Sequence, residues 1–267
     1  MRENIMKQKQ AINALLEVLR QDVNVEAIFL KGSIAQGLDD IHSDVDMYCI
    51  INEANLDDFL QKRIKYLETY RPVLYWSESN FVGPQIVAVY DDGLHFDLYT
   101  LTQRTLSNVD EIKVLNDPQN ILKDYKAQSL SLTPQELIDL VHEFTFILLE
   151  FEVAFLRNDL LWASRLASHL FGNLSLILRH VIQPNRAQLG IKKLYSHLPF
   201  STYTKLLEAM DNCGPSSLPH GVVTLLECFE EVIEKLPYEI IKEINMNFVQ
   251  FMSAKIRNIS LEVVNPV

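Results

Sequence analysis

The sequence predicts an α/β domain built on a small mixed sheet, followed by an all-α helical bundle. Runs of apolar or alternating residues, typical of strands, occur only in the first half of the chain, whereas apolar residues in the second half recur at helical spacing. The change comes at Thr133-Pro134-Gln135-Glu136, a typical helix start with a capping threonine, proline at the first helical position and glutamate three residues after the cap. We therefore divide the chain into domains 1–130 and 131–267.

The first domain begins with an amphipathic helix over about 4–20, because its isoleucines and leucines lie at helical spacing. A second helix is predicted over about 56–69. Asp91-Asp92-Gly93 is a hairpin turn between two of the apolar runs. The predicted strands are 27–30, 44–51, 72–76, 86–90, 94–101 and 111–115. So few helices around one sheet indicate a minimal α/β core.

The second domain is predicted to contain helices and no strand. Prolines and polar turns separate its periodic segments. The predicted helices are 134–156, 159–182, 185–197, 201–211, 218–235 and 238–258. Segment 137–156 is almost long enough to span a bilayer, but four acidic residues interrupt it. We therefore expect a buried bundle helix and no membrane partner.

Length and composition agree with a soluble, cytoplasmic enzyme. The 267 residues carry a formal net charge of −11, which argues against a nucleic-acid partner. Such a charge would suit a small, positively charged molecule as the acceptor of a transferred group. Cys49, Cys213 and Cys228 follow no metal or redox spacing and resemble the free thiols of a reducing compartment. The chain starts without an apolar signal segment, so we expect no export.

The most informative motif is Gly32-Ser33, followed after ten residues by Asp44-Val45-Asp46. Alternation along the predicted strand puts Asp44 and Asp46 on one face, where two carboxylates repel each other unless a cation lies between them. Mg²⁺, held jointly by carboxylates and substrate phosphates, is the natural cation. The Gly-Ser turn leaves backbone N–H groups and a hydroxyl for a phosphate oxygen.

A third carboxylate lies on the predicted strand 94–101. Alternation puts Asp97 on the same face as His95 and Tyr99, while Leu94, Phe96 and Leu98 point to the other face. A carboxylate in the middle of such a strand is unusual unless something binds it. Asp97 is therefore the best candidate for a third acid beside Asp44 and Asp46.

These motifs resemble the signature of the nucleotidyltransferase superfamily. The closest resemblance is to bacterial antibiotic nucleotidyltransferases of the lincosamide type and, more loosely, to aminoglycoside and streptomycin adenylyltransferases. It rests on "GSIAQG…SDVDMY", on the strand–turn–strand segment "PQIVAVYDDGLHFDLYTL", and on "FLRNDLLWASRLASHLFGNLSLILRH" with Arg157, Asp159 and Arg179. The resemblance covers about residues 1–180. The basic residue common after Gly-Ser is absent from Ala35-Gln36-Gly37.

The resemblance implies Mg²⁺-dependent transfer of AMP from ATP, or of another nucleoside monophosphate from its NTP, to the hydroxyl of a small molecule. Asp44 and Asp46 would bind the metal, and Gly32 and Ser33 would bind the terminal phosphates. Asp97 would complete a metal site or act as general base, the role given to the matching acid in lincosamide-type relatives; the sequence leaves both roles open.

The resemblance also implies that basic residues of the bundle complete the triphosphate site, and Lys192 and Lys193 are the candidates. We expect the acceptor between the domains, and the apolar segment 222–233 is a possible homodimer contact. Two alternatives stay open. One is a catalytically silent nucleotide-binding module, against which the three acids argue. The other is a nucleotidyltransferase that modifies a protein, against which the added bundle argues.

Overall fold

The structure is a computed structural model that describes residues 4–80 and 83–264. The chain forms two compact units, Met1–Gln128 and Ser129–Val267. The first is a mixed α/β unit and the second is helical in its described residues, so the predicted fold class is confirmed.

The described residues of the first unit form a six-stranded mixed sheet with the order β3-β4-β5-β2-β1-β6. Strands β2 and β5 are parallel, and the other neighbouring pairs are antiparallel. The strands are β1 Val25–Leu30, β2 Val45–Ile51, β3 Val73–Ser79, β4 Gln85–Tyr90, β5 His95–Leu101 and β6 Lys113–Asn116. The helices are α1 Asn4–Leu19, α2 Gly32–Gln36 and α3 Leu56–Leu67.

One face of this sheet is covered by α1 and α3. Their apolar residues, among them Leu15 and Phe59, form one buried cluster with Met47 of β2 and with Phe96 and Leu98 of β5. Burial of these side chains is the main stabilisation of the unit, because a fully buried Leu or Phe side chain contributes roughly 1.5–3 kcal/mol. The acidic residues lie at the alternate positions of the same strands.

The second unit is a bundle around one large core. Phe144 of its first helix stacks on Phe229 with ring centroids 3.8 Å apart. The predicted capping box is present, since Thr133 Oγ1 accepts from the Glu136 N–H and the Glu136 carboxylate accepts from the Thr133 N–H. The helices are α4 Pro134–Leu156, α5 Leu160–Ile182, α6 Phe200–Asp211, α7 His220–Ile233, α8 Tyr238–Ile241 and α9 Met246–Val264.

Two predicted helices of the bundle are wrong. Segment 185–197 contains two short 3₁₀ turns, Pro184–Leu189 and Leu194–Ser196, because Gly190 and Lys193 between them have positive φ angles of 50° and 54°. Segment 238–258 is broken, since α8 ends at Ile241 and α9 begins at Met246.

Segment 222–233 contributes its apolar side chains to the core of its own unit. Leu225, Leu226 and Phe229 are fully buried there, so these residues are not a surface for a dimer contact. In the ranges that the structure describes, no helix is both long enough and apolar enough to span a membrane.

Candidate active site

Strand pairing brings the three predicted acids together. Asp44 directly precedes β2, Asp46 lies in β2, and Asp97 lies in β5. Because β2 and β5 are parallel with Asp46 opposite Asp97, these two side chains leave the same face of adjacent strands. Neighbouring strands of a sheet lie about 4.8 Å apart. The three acids therefore form one carboxylate cluster, which we call the acid cluster.

His95 connects two members of the acid cluster. Its Nε2 lies 3.0 Å from Asp97 Oδ1, and its Nδ1 lies 3.8 Å from Asp44 Oδ2. His95 is more than two-fifths exposed, whereas the Asp97 side chain is only one-tenth exposed. The histidine thus lies at the open side of the cluster and orients the more buried carboxylate.

Asp97 has a perturbed ionisation. Burial raises the pKa of this carboxyl above its ordinary value, while His95 and a hydrogen bond from the Gln85 side chain partly oppose the rise. A carboxylate with a raised pKa is a stronger base than an ordinary one, so the environment of Asp97 is compatible with a general-base role.

The Gly-Ser motif forms the start of α2 and lies against the acid cluster. Gly32 has a φ of +67°, and a Cβ at this position would lie 2.3 Å from Asp46 Oδ2. Glycine is strongly favoured there, because a Cβ would push the Asp46 carboxylate out of its place and any other residue would have to adopt a strained backbone conformation. The N–H of Lys31 donates to the Asp46 carbonyl at 3.1 Å, which fixes Gly32 and Ser33 next to β2.

A buried lysine, which no sequence pattern singled out, holds this segment in place. Lys31 Nζ donates to the carbonyls of Ser107 at 3.2 Å and Val109 at 2.7 Å. Its ammonium also lies over the rings of Tyr48 and Tyr125, at 5.3 and 5.9 Å from the ring centroids. Burial lowers the pKa of Lys31, and nearby Asp110 opposes the change.

The other end of α2 is attached to the same loop. Gln36 Nε2 lies 3.0 Å from each carboxylate oxygen of Asp110, a residue whose φ is +67°. Loop 107–110 therefore braces α2 at both ends, through Lys31 and through Gln36. Neither contact was predicted, because the partners are 74 to 78 residues away along the chain.

Stacked aromatic rings cover the sheet face on one side of the acids. Tyr48, two residues after Asp46, stacks on Tyr99 with ring centroids 4.2 Å apart, and on Phe29 at 5.1 Å. Burial raises the pKa of Tyr99 to about 12, so its phenol is neutral at physiological pH. The acid cluster is thus bordered by an uncharged wall towards the carboxyl ends of β2 and β5.

The acid cluster offers carboxylate oxygens, the type of ligand atom that Mg²⁺ prefers. In residues 4–80 and 83–264 no three His, Cys, Asp or Glu side chains form a group arranged to hold a metal ion. Proteins usually bind Mg²⁺ through one or two carboxylates together with substrate phosphates. Asp44 and Asp46, beside the Gly-Ser segment, fit that smaller set.

Lys192 and Lys193 lie in the second unit, exposed, between α5 and α6. Buried Arg179 holds their segment, because its Nε donates to the Gly190 carbonyl at 2.7 Å and its Nη2 donates to the Lys192 carbonyl. Arg179 therefore has an internal role, while Asp159 caps α5 by accepting from the Trp162 N–H. A phosphate contact by the two lysines stays a prediction.

Comparison with known proteins identifies the family. The family model described as streptomycin adenylyltransferase matches residues 5–258. Among solved structures, one similar protein is an aminoglycoside 6-adenyltransferase from Bacillus subtilis, with 13% identity, a TM-score of 0.42, and coverage of 95% of this chain and 98% of that one. No curated protein sequence matches significantly. Since the family model spans nearly the whole chain, the protein belongs to the streptomycin adenylyltransferase family of nucleotidyltransferase enzymes.

Proposed function

We propose that the protein transfers AMP from ATP to a hydroxyl of a small molecule, in a Mg²⁺-dependent reaction, and that the acceptor is an antibiotic of the streptomycin or aminoglycoside class. The observation that carries the proposal is the pairing of Asp46 with Asp97 on adjacent strands, with Gly32 against the Asp46 carboxylate. The family match supports the reaction class. A net charge of −11 favours a cationic acceptor.

Each residue of the site has a distinct binding role in this proposal. Asp44 and Asp46 would hold the Mg²⁺ ion, which would supply charge neutralisation for the phosphate oxygens. The Ser33 hydroxyl and the backbone N–H groups of Gly32 and Ser33 bind the terminal phosphates. Lys192 and Lys193 are candidates for further phosphate contacts. Lys31 makes none, because carbonyls and aromatic rings surround its ammonium.

The chemical step is a displacement at the α-phosphorus of ATP. The acceptor oxygen forms a bond to phosphorus while the bond from phosphorus to the β-phosphate oxygen breaks. Asp97 takes the acceptor proton, and His95 keeps its carboxylate oriented. Pyrophosphate leaves with the electron pair of the broken bond, held at Gly32 and Ser33 as it departs.

Mass spectrometry tests the proposal directly. The wild-type protein is incubated with ATP, Mg²⁺ and, separately, streptomycin and a panel of aminoglycosides, and the acceptor is expected to gain one adenylyl group. Asp46→Asn is the matched control, and omission of Mg²⁺ is the second. Parallel reactions with GTP, CTP and UTP measure the base preference.

The same experiment separates the alternatives. Adenylylation of a protein in place of the small molecule would favour a protein-modifying enzyme. Binding of ATP without any transfer would favour a silent nucleotide-binding module. We place the enzyme in the cytoplasm, where ATP and Mg²⁺ are both supplied.

A further inference from the structure

The face of the sheet that carries the acid cluster continues over the hairpin formed by β3 and β4. Across the sheet, β1, β2 and β5 are consecutive neighbours. The Gly-Ser segment directly follows β1 along the chain, Asp46 lies on β2, and Asp97 lies on β5. Beyond Asp97 come β4 and then β3, which is an edge of the sheet in the described residues. The acid cluster therefore has the phosphate-binding segment on one side and this hairpin on the other.

Strand register identifies the hairpin residues that share the face of the acids. Val87 is paired with Asp97 and Val89 with His95, and these two valines are paired in turn with Ser77 and Tyr75 of β3. Directly paired residues point to the same face of a sheet.

Side-chain contacts of Ser79 and Gln85, the next residues on this face of β3 and β4, support the assignment of the hairpin residues to the face of the acids. Ser79 Oγ lies 2.8 Å from Gln85 Oε1, and the Gln85 side chain is hydrogen-bonded to Asp97. We call Tyr75, Ser77, Val87 and Val89 the hairpin platform.

The hairpin platform carries no charge. It offers one exposed ring, that of Tyr75, which is 57% exposed, together with the hydroxyls of Tyr75 and Ser77 and two partly buried valines. The charged residue of β3, Glu78, is paired with Ile86 on the opposite face and forms an ion pair with Arg63. A neutral apolar surface with an aromatic ring and a hydroxyl suits the C–H face of a hydroxylated ring.

The direction of attack places the acceptor on this side. In a phosphoryl or nucleotidyl transfer the attacking and leaving oxygens lie roughly in line, on opposite sides of phosphorus. If the leaving pyrophosphate is held at Gly32 and Ser33, the acceptor oxygen approaches from the side of Asp97 and the acceptor body extends over β4 and β3. This step rests on the proposed function.

We propose that the hairpin platform binds the reacting ring of the acceptor, a hydroxylated ring such as a sugar or cyclitol, by packing against its C–H face, and that it determines acceptor specificity. Tyr75 is the main determinant, because its exposed ring offers the largest area for packing. Val87 is the second, since it is paired with Asp97 and limits the size of the group that reaches this carboxylate.

The test compares Tyr75→Ala with Trp76→Ala. Trp76 is the next residue of the same edge strand, is also an exposed aromatic residue, and is paired with Ala88 on the opposite face of the sheet. With streptomycin or the best aminoglycoside as acceptor, Tyr75→Ala is expected to raise the acceptor KM about tenfold and to leave the KM of Mg-ATP unchanged. Trp76→Ala is expected to change neither.

A second variant tests the position of the acceptor by steric exclusion. Val87→Phe is expected to reduce transfer to the antibiotic at least about tenfold. Calorimetric titration with Mg²⁺ and a non-hydrolysable ATP analogue should show unchanged nucleotide binding.

The outcomes separate this inference from the proposed function. If wild type transfers AMP but Tyr75→Ala behaves like Trp76→Ala and Val87→Phe retains full activity, the platform is not the acceptor site and the proposed function stands. If wild type transfers AMP to none of these probes, both are overturned.

Discussion

The two faces of the sheet are made by the same strands but have opposite physical characters. On one face, Met47 and Phe96 are completely buried under α1 and α3. On the other, their sequence neighbours Asp46 and Asp97 form the acid cluster with Asp44. Because successive residues of a strand alternate between faces, adjacent positions serve stability and chemistry separately. Substitutions at neighbouring positions of β2 and β5 should therefore change either the enzymatic activity or the stability, depending on the face.

The largest effect is expected at Asp46. Asp46→Asn should lower the turnover number by at least about 10³-fold, because it removes a carboxylate ligand of the metal that neutralises the phosphates. The free energy of unfolding should stay the same or rise, since the substitution removes one of the negative charges that repel each other in the cluster. Steady-state kinetics and thermal unfolding measure the two quantities. A variant that keeps turnover within about tenfold of wild type would refute the metal assignment.

Asp97 should show a comparable loss with a different kinetic signature. Asp97→Asn is expected to reduce turnover by about 10²- to 10⁴-fold, the usual contribution of a positioned general base. Affinity for Mg-ATP, measured by calorimetric titration, should change little. Loss of nucleotide binding together with turnover would instead make Asp97 a metal ligand.

Phe96→Ala, one residue away, should produce the reverse result. Its ring is completely buried in the cluster formed with α1 and α3, so truncation should lower the free energy of unfolding by about 3–5 kcal/mol. At a temperature where the variant is still folded, its turnover number should remain near that of wild type. Chemical denaturation and kinetics at that temperature provide the check, and a selective loss of turnover without loss of stability would break the division between the faces.

The smallest effect is expected at Lys31, which braces the Gly-Ser segment without touching substrate. Lys31→Met removes the ammonium donor that the carbonyls of Ser107 and Val109 share with the Tyr125 hydroxyl, so we expect about 1–3 kcal/mol less stability and a raised KM for Mg-ATP. The KM of the acceptor should not change. Gln36→Leu removes the second brace and should act in the same direction. A specific rise in the acceptor KM would place Lys31 in a different role.

Much of this arrangement could be predicted from the sequence because it depends on short-range patterns. Alternation in 44–51 and 94–101 predicts which carboxylates share a face, and the capping box marks the start of the bundle. Alternation along a strand does not reveal, however, which other strand it pairs with. The parallel pairing that sets Asp46 opposite Asp97 depends on the tertiary fold.

The features that sequence patterns missed depend on backbone conformation or on distant contacts. Positive φ angles at Gly190 and Lys193 interrupt a segment whose apolar spacing predicted a helix. Lys31 lies beside the Gly-Ser motif, yet its partners are backbone carbonyls of a distant loop, which carry no sequence signal. Helix α2 has only five residues, too few for a periodic pattern.

The most direct test of the account is a crystal structure with Mg²⁺ and a non-hydrolysable ATP analogue. It should show the metal bound by Asp44 and Asp46, the terminal phosphates at Gly32 and Ser33, and the α-phosphorus facing Asp97. A triphosphate bound away from this face, or a metal that contacts neither aspartate, would contradict the assignment of the acid cluster as the active site.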